Sequence, residues 1–478
     1  MTDSRGAQGS SGLVDAPRSA SARSRSITDH VLQSLPHLVR GPHAKVRGDA
    51  LTVAVAGLAA ADPGPATSRV VSFDEASDTV TIDDESYRMH HRGRVLVVGS
   101  GKASYRIAEA LETVLGPRIG GGVVVVRDPD LAPLARIEVL CADHPLPTER
   151  SVQAAQRILD RVADATADDV VITCFTGGSS SLSSLPPDGV PSADKRVLHQ
   201  QLLSSGLAIT EINAVRKQVS AVKGGRVALA ARPARVVNLT VSDVAGSPLD
   251  AVADPAVQDS STAAAARAIL ERAHLWDVVP TSIRSHLELD HPTPSLSPEP
   301  QTVMLADGAM TVAAMSRQAA ELGYHPVVVE PELEGDAEHI GSHLADLAMA
   351  EGRARGGPVM VVGCGGEAVV EVHSESEFGR GGPNQHAALV AAESLAGHPA
   401  AALFLDSDGS DGGTPYAGAL VDGGTMDRAA DLGVDLRATR SRQQSTDACE
   451  RLGVAVRTGH TGTNVNDLFV LAIEGVHA

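Results

Sequence analysis

Aromatic side chains are almost missing from this chain, making up 2% of its 478 residues. Hydrophobic residues still reach 43%, so the interiors must be packed with Ala, Val and Leu. Cores of that kind suit helices laid on a parallel sheet, whose strands are buried on both faces and read as short β-branched runs. Cysteine is equally scarce. The four present, Cys141, Cys174, Cys364 and Cys449, lie far apart without metal-ligand spacing. That argues against a disulfide framework and for free thiols in a reducing cytosol. Positive charge is short as well, with 40 Lys and Arg against 59 Asp and Glu, a net of −19. Nucleic acid and anionic membranes reward net positive charge, so both are poor partners here, and an anionic substrate needs a locally basic site. No apolar run approaches the roughly 18–20 residues of a membrane helix. Residues 1–27 are rich in Ser, Arg and Ala and lack an apolar segment; they read as a disordered tail and not a signal peptide.

What is present is a repeated alternation of buried strand, glycine turn and helix, the mark of a mostly parallel sheet covered by helices. A chain of this length exceeds one comfortable core, so two domains are expected. A helix is expected from about His43 to Ala61 and a polar hairpin over Thr79–Met89. Strands follow at Arg94–Gly99, Gly121–Val126, Val170–Cys174 and Arg235–Val241. The Pro- and Ser-rich run HPTPSLSPEP at 291–300 reads as a linker between a domain at 28–295 and a second at 296–478. The second should open with a helix over Gln301–Leu322. Strands are expected there at His325–Glu330, Val359–Val362, Ala368–His373 and Ala402–Leu405. With more glycine turns and fewer long helices, it should be the smaller domain.

Several strings could carry chemistry. GSGKAS, with Gly99, Gly101 and Lys102, lies between a strand and a helix, where glycines let backbone N–H groups approach a phosphate. It departs from a Walker A loop at Leu96 and Ala103, and from a dinucleotide fingerprint at Ser104. A lysine at a helix start opposes the dipole, which an anion bound by Lys102 would explain. TGGSSS, with Gly177, Gly178, Ser179 and Ser180, offers hydroxyl and backbone donors to an oxyanion, or simply caps the next helix. In EINAVRKQVSAVKGGR, helical spacing places Asn213, Arg216, Lys217 and Ser220 on one face, with Lys223 just before a Gly-Gly stop. Concentrated basic charge in an acidic chain points to an anion. Asp243 ends a strand where open α/β sheets place ligands; it could accept a hydroxyl proton or hold Mg²⁺. DSDGSDGG gathers Asp406, Asp408 and Asp411 but lacks the spacing of an EF-hand. TGHTGTNVNDL, with Asn464, Asn466 and Asp467, precedes an expected apolar helix.

In order, these strings resemble the glycerate 2-kinase family, whose C-terminal part is the MOFRL domain. The resemblance covers about residues 29–472. It rests on GSGKAS, DHPLPTERS at 143–151, TGGSSSL, LLSSGLAITEINAVRKQVSAVKGGR, LTVSDVAGSPLD, GGEAVVEV, GRGGPNQ, DGSDG and TGTNVNDL. It implies a larger Rossmann-like, mostly parallel sheet with helices on both faces, a smaller α/β MOFRL domain, and a site in the cleft between them. It implies ATP- and Mg²⁺-dependent conversion of D-glycerate to 2-phosphoglycerate in the cytoplasm, with room for a homodimer. Some relatives are called hydroxypyruvate reductases, but no good nicotinamide fingerprint is present. By this resemblance Lys102 would neutralise the transferring phosphoryl group. Ser179, Ser180, Asn213, Arg216, Lys217 and Lys223 would hold the hydroxy acid. Gly99, Gly101, Gly177, Gly178, Asn384, Asp408, Asp411, Asn464 and Asn466 would serve ATP, and Asp243, Asp408 and Asp467 the metal. The sequence departs from the family pattern at Ser179, Asp254-Pro255, Pro383 and Pro415-Tyr416. Pro383 replaces an arginine, and Arg380, three residues back, is the nearest guanidinium that could act in its place. Another small sugar acid as substrate, or a silent ligand-binding relative, are the other readings.

Overall fold

A computed structural model describes residues 36–127, 131–242, 254–289, 295–329, 335–366, 368–370 and 379–475. The proposed tail and Asp243 lie outside the described residues, as do residues 291–294 of the HPTPSLSPEP string and the Gly-Gly-Glu position 367.

A small antiparallel sheet of β1 (Val71–Asp74), β2 (Thr79–Ile82) and β3 (Glu85–Arg88) comes first. The first large sheet follows, from β4 (Val95–Ser100), β5 (Ile119–Val126), β6 (Ile137–Cys141), β7 (Val170–Phe175), β8 (Arg235–Val241) and β9 (Gln301–Ala306). Every pairing in it is parallel, and the order is β6-β5-β4-β7-β8-β9. The chain therefore steps outward from β4 to β6, then returns to place β7 on β4's other side. That reversal is the topological switch point of a Rossmann-type sheet, and crevices open beyond the strand ends there.

Alternation along β4 explains the two-sided cover. Val95 and Val97 pack with Ile107, Ala108 and Leu111 of the helix Ser104–Leu115. Leu96 and Val98 pack with Ala154, Ile158 and Val162 of the helix Glu149–Ala163. The latter helix starts at a capping box made by Thr148 and Ser151, which satisfies N–H groups the helix itself leaves unpaired.

The second large sheet is mixed. It contains β10 (His325–Val328), β12 (Val359–Cys364), β14 (Ala400–Asp406), β15 (Gly418–Asp422), β16 (Ala455–Val456) and β17 (Asp467–Ile473), in the order β10-β12-β17-β14-β15-β16. Only β10 and β12 run parallel. A two-stranded ladder of β11 (Gly335–Asp336) and β13 (Ala368–Val369) flanks it. The expected apolar helix after TGTNVNDL is instead β17, seven consecutive buried residues held between β12 and β14. The expected helix over Gln301–Leu322 divides into β9 and a helix Gly308–Glu321, started by Asp307, whose side chain accepts from the Met310 N–H. The unit is not short of long helices, since Ala337–Arg355 spans 19 residues.

The boundary expected at 295/296 does not separate the two sheets. Strand β9, after it, completes the first sheet. The helix Ala44–Ala60, before it, packs on β14 and β17. Arg47 of that helix is buried against Asp422 at the end of β15. One hydrophobic core consequently runs from Val95 and Val97 through Val46 and Val53 to Leu403 and Leu468.

Candidate active site

The loops after β4 and β7, neighbours at the switch point, are sewn together. The Lys102 N–H donates to the Gly177 carbonyl at 2.9 Å, the Ala103 N–H to Thr176 Oγ1 at 3.1 Å, and the Thr176 N–H to the Ser100 carbonyl at 3.0 Å. Gly101, with φ of +133°, permits this approach, because a Cβ there would stand 2.3 Å from Thr176 Oγ1. The N–H groups of Gly101 and Ser104 are also taken, by the carbonyls of Val125 and Gly101. This corrects the expected phosphate cradle: the donors of GSGKAS are spent on the neighbouring strand and loop, and Gly99 lies within β4 against Cys174. What the loop presents is the Lys102 side chain. The TGGSSS loop is more open. Among the described residues no acceptor pairs with the N–H groups of Gly177 and Gly178 or with the half-buried hydroxyls of Ser179 and Ser180.

Beside these loops lies a basic pocket. The helix Ile209–Gln218 carries Asn213, Arg216 and Lys217 but stops before Ser220, whose hydroxyl accepts from the N–H groups of Val222 and Lys223. Arg216 has no carboxylate partner among the described residues. Its guanidinium touches only Asn213 Oδ1 at 3.5 Å and His199 Nε2 at 3.4 Å, and its buried Nε bonds nothing. Burial lowers it to about 10. Lys223 is buried and falls to about 7 through desolvation and repulsion from Arg216, against the attraction of Asp254. Lys195, whose ammonium donates to the Leu185 carbonyl at 2.6 Å, is pushed down by burial and by Lys223, Arg226 and Arg216. His199 falls to about 3 from burial and from Arg216, Lys223 and Lys195. Buried cations crowded in this way gain from an oxyanion among them. Lys217 is not part of the group. Its ammonium is 2.8 Å from Asp259, a buried ion pair that leaves no charge for a ligand.

The second unit offers the opposite charge. In the β14–β17 ladder Asp406 stands directly across from Asp467, and like charges so placed repel. Burial, then Asp408 and Asp467, drive Asp406 well above the usual carboxylate range, while Lys102 opposes the rise. Lys102 reaches across from the first unit, with Nζ 2.5 Å from Asp408 Oδ2. Asp411 has another duty: its oxygens accept the N–H groups of Asn384 at 3.0 Å and Gln385 at 2.9 Å, capping the helix Pro383–Ser394. Burial raises it to about 6. Asn384 also donates to Asp467 at 2.6 Å and leaves its buried Oδ1 without a partner. Asn464 and Asn466 shape the turn into β17; the Asn464 side chain accepts from the Asn466 N–H at 3.4 Å, and Asn466 adopts φ of +69°. Pro383 takes the first turn of its helix, where its missing N–H costs nothing. Arg380 is not brought to this site; it is held at the surface by Asp447 at 2.8 Å and Glu450 at 3.1 Å, which corrects the expected substitution for the lost arginine.

A family model described as a domain of unknown function, DUF4147, matches residues 49–288, and one described as the MOFRL family matches residues 360–467. A glycerate 2-kinase of Pyrococcus horikoshii is 34% identical, over 87% of this chain and 94% of that protein. The chain belongs to the glycerate 2-kinase family. A putative hydroxypyruvate reductase of Agrobacterium vitis is 39% identical over 80% of this chain and 88% of its own length. The crystal structure of a glycerate kinase from Thermotoga maritima superposes with a TM-score of 0.75 at 31% identity, covering 89% of this chain and 99% of that one.

Within this family framework, three residues of the cleft escaped the sequence reading. Lys195 and His199 sit on a helix, Ser192–Leu203, whose sequence reads as an ordinary solvated face. His144 was visible only as part of the DHPLPTERS string.

Proposed function

We propose that the chain transfers the γ-phosphoryl group of ATP to the 2-hydroxyl of D-glycerate. The observation that carries this reading is the Lys102–Asp408 contact, which joins a basic pocket in the first unit to facing carboxylates in the second. Arg216, with its unpartnered Nε, takes the substrate carboxylate as a two-pronged donor. Lys223 and Lys195 add positive potential, and the Ser179 and Ser180 hydroxyls stand ready for polar groups of the same ligand. Lys102 neutralises charge on the phosphoryl group in flight. Positioning and fixed charge do most of the work in such transfers.

The acidic strand ends suit a divalent cation. Asp406, Asp408 and Asp467 repel one another, and Asn384 Oδ1 is a buried acceptor without a donor. Among the described residues no set of three acidic, His or Cys side chains encloses a metal alone. Mg²⁺ commonly uses one or two carboxylates and completes its shell with waters and phosphate oxygens, so the donors fit that ion. When bound, Mg²⁺-ATP supplies the phosphoryl group and the charge that screens its oxygens. Asp408 and Asp467 would face the metal and Asn464 the nucleotide. Asp411, by contrast, acts through the helix it caps.

No helix among the described residues is long and apolar enough to cross a membrane; we place the reaction in the cytoplasm. A nicotinamide enzyme is disfavoured because the N–H groups a dinucleotide pyrophosphate needs at GSGKAS are already bonded. Purified protein given ATP, Mg²⁺ and D-glycerate should release ADP and 2-phospho-D-glycerate, identified by ³¹P NMR. Oxidation of NADH in the presence of hydroxypyruvate, without ATP consumption, would restore the reductase reading.

A further inference from the structure

DHPLPTERS runs from the end of β6 into the helix Glu149–Ala163, and nothing above gives its histidine a task. The fold delivers that residue to the middle of the cleft. A methyl group built on Gly178 would lie 3.4 Å from His144 Nε2, 3.3 Å from its Cδ2 and 3.6 Å from Lys102 Cγ. The imidazole edge bearing Nε2 therefore faces the open TGGSSS loop next to Lys102. Gly178, in the left-handed region at φ of +86°, keeps that space clear. On the other side, the backbone of Pro145, the next residue, favours a proton on His199, which touches Arg216 at 3.4 Å. The ring thus stands between the group that would hold the carboxylate and the group that would hold the phosphoryl. A 2-hydroxy acid spanning the two carries its hydroxyl in that interval. Among the described residues no donor or acceptor occupies the ring nitrogens of His144, which is half-buried.

We infer that His144 is the proton acceptor of the reaction: its imidazole takes the proton of the substrate 2-hydroxyl as that oxygen attacks the γ-phosphorus. This role rests on the phosphotransfer reading above. The step balances within the named groups. The hydroxyl oxygen forms a bond to phosphorus, the bond from phosphorus to the β-γ bridging oxygen breaks, ADP leaves with that electron pair, and the proton passes to the imidazole, which later returns it to water.

The surroundings set the charge of the ring. Burial, then Lys102 and Arg127, lower His144 to about 4, with Asp408 opposing. These are the charged groups that face it: Lys102 from the loop after β4, Arg127 after β5, and Asp408 from the second unit. Without ligands the ring is neutral at pH 7 and able to accept. A triphosphate paired with Lys102 would offset the nearest positive charge and raise the proton affinity as the substrates assemble.

Steady-state kinetics of the full-length protein and of His144→Gln, followed from pH 5 to 9, test the role. Glutamine keeps a polar side chain but cannot take up a proton. The expected result is a fall in kcat of about 10²–10⁴-fold, with KM for ATP and D-glycerate within threefold of the parent and the acidic limb of the kcat profile flattened. His144→Gly, whose shortened side chain leaves a cavity, should recover part of the lost rate with added imidazole, in proportion to its unprotonated fraction. A His144→Gln protein that keeps turnover within threefold, or one that loses only substrate affinity and keeps the acidic limb, overturns the assignment. Should Gln disturb the fold, as seen by circular dichroism, absence of imidazole rescue in a folded His144→Gly protein overturns it instead. A parent protein that consumes no ATP with D-glycerate defeats the function reading itself, and this role with it. An active parent with an active variant defeats only the role of His144.

Discussion

The two faces of the cleft are built in opposite ways. On the first unit, cations are crowded together in a chain that carries a net charge of −19. Arg216 lowers Lys223, both lower Lys195, and Arg216 has no counter-ion among the described residues. On the second unit, carboxylates are crowded instead, and Asp406 is driven up by Asp408 and Asp467. Each face is unfavourable alone, and each becomes favourable when a ligand of the other sign arrives. Lys102 reaching Asp408 is a place where the faces neutralise each other directly. Local electrostatic frustration of this kind marks functional sites, because structural charges are normally paired at home. Arg47 with Asp422, and even Lys217 with Asp259 beside the basic pocket, show that this chain does pair other buried charges internally.

Removing the bridging charge should break this complementarity most severely. Lys102→Ala is expected to fold normally and to lose about 10²–10³-fold in kcat, roughly 3–4 kcal/mol of transition-state stabilisation. Rapid-quench or coupled assays alongside circular dichroism would check it, and near-parental turnover would remove Lys102 from the chemistry.

A smaller effect sharpens the acidic face. Asp406 is raised in the folded protein relative to the unfolded chain, so the folded state loses stability as pH rises from the unfolded value toward the folded one. Asp406→Asn removes that loss. Without divalent cation it should melt higher than the parent at pH 7, by roughly 2–4 °C for each kcal/mol recovered, with the difference shrinking toward pH 4. Its reaction should need more Mg²⁺. Scanning calorimetry at the two pH values would test the sign; a variant less stable at pH 7 would mean that Asp406 is held by contacts and not strained by its neighbours.

The smallest change is expected at Arg380. It is exposed and shares Asp447 and Glu450, and such solvent-screened surface pairs contribute little. Arg380→Ala should keep kcat and both KM values within about twofold. A tenfold loss would show that the side chain leaves its surface partners and acts in the cleft.

Much of the first sheet was legible in the sequence because β4, β5, β7 and β8 are short apolar runs stopped by glycine or polar turns. The switch-point location of Lys102 and the TGGSSS loop follows from that pattern. β17 was not legible as a strand: after Asp467 its run LFVLAI is apolar, buried on both faces between β12 and β14, and such a run has no period to separate strand from helix. β9, a short edge strand, runs directly into the helix that follows it, and the attachment of the helix Ala44–Ala60 to the second sheet depends on contacts far apart in sequence. At the site, residue type singled out Lys102 and Asp408, which meet across the two units, and Arg216, which has no carboxylate partner among the described residues. It misled at Lys217, which helical spacing grouped with Arg216 but which points to Asp259. It misled also at Asp411, whose carboxylate closes a helix end, because capping and ligand binding draw on the same residue types. His144 gained meaning only when loops after β4, β5 and β7 were seen to meet around it.

Isothermal titration of Arg216→Gln with D-glycerate, and separately with Mg²⁺-ATP, tests most directly whether the two faces serve different ligands. Loss of the guanidinium should weaken D-glycerate by at least about tenfold, as expected for a charge-assisted pair worth roughly 1.5–3 kcal/mol, while Mg²⁺-ATP affinity stays within about twofold. Unchanged D-glycerate binding, or an equal loss for both ligands, would contradict the assignment of the basic pocket to the hydroxy acid and of the acidic strand ends to the nucleotide.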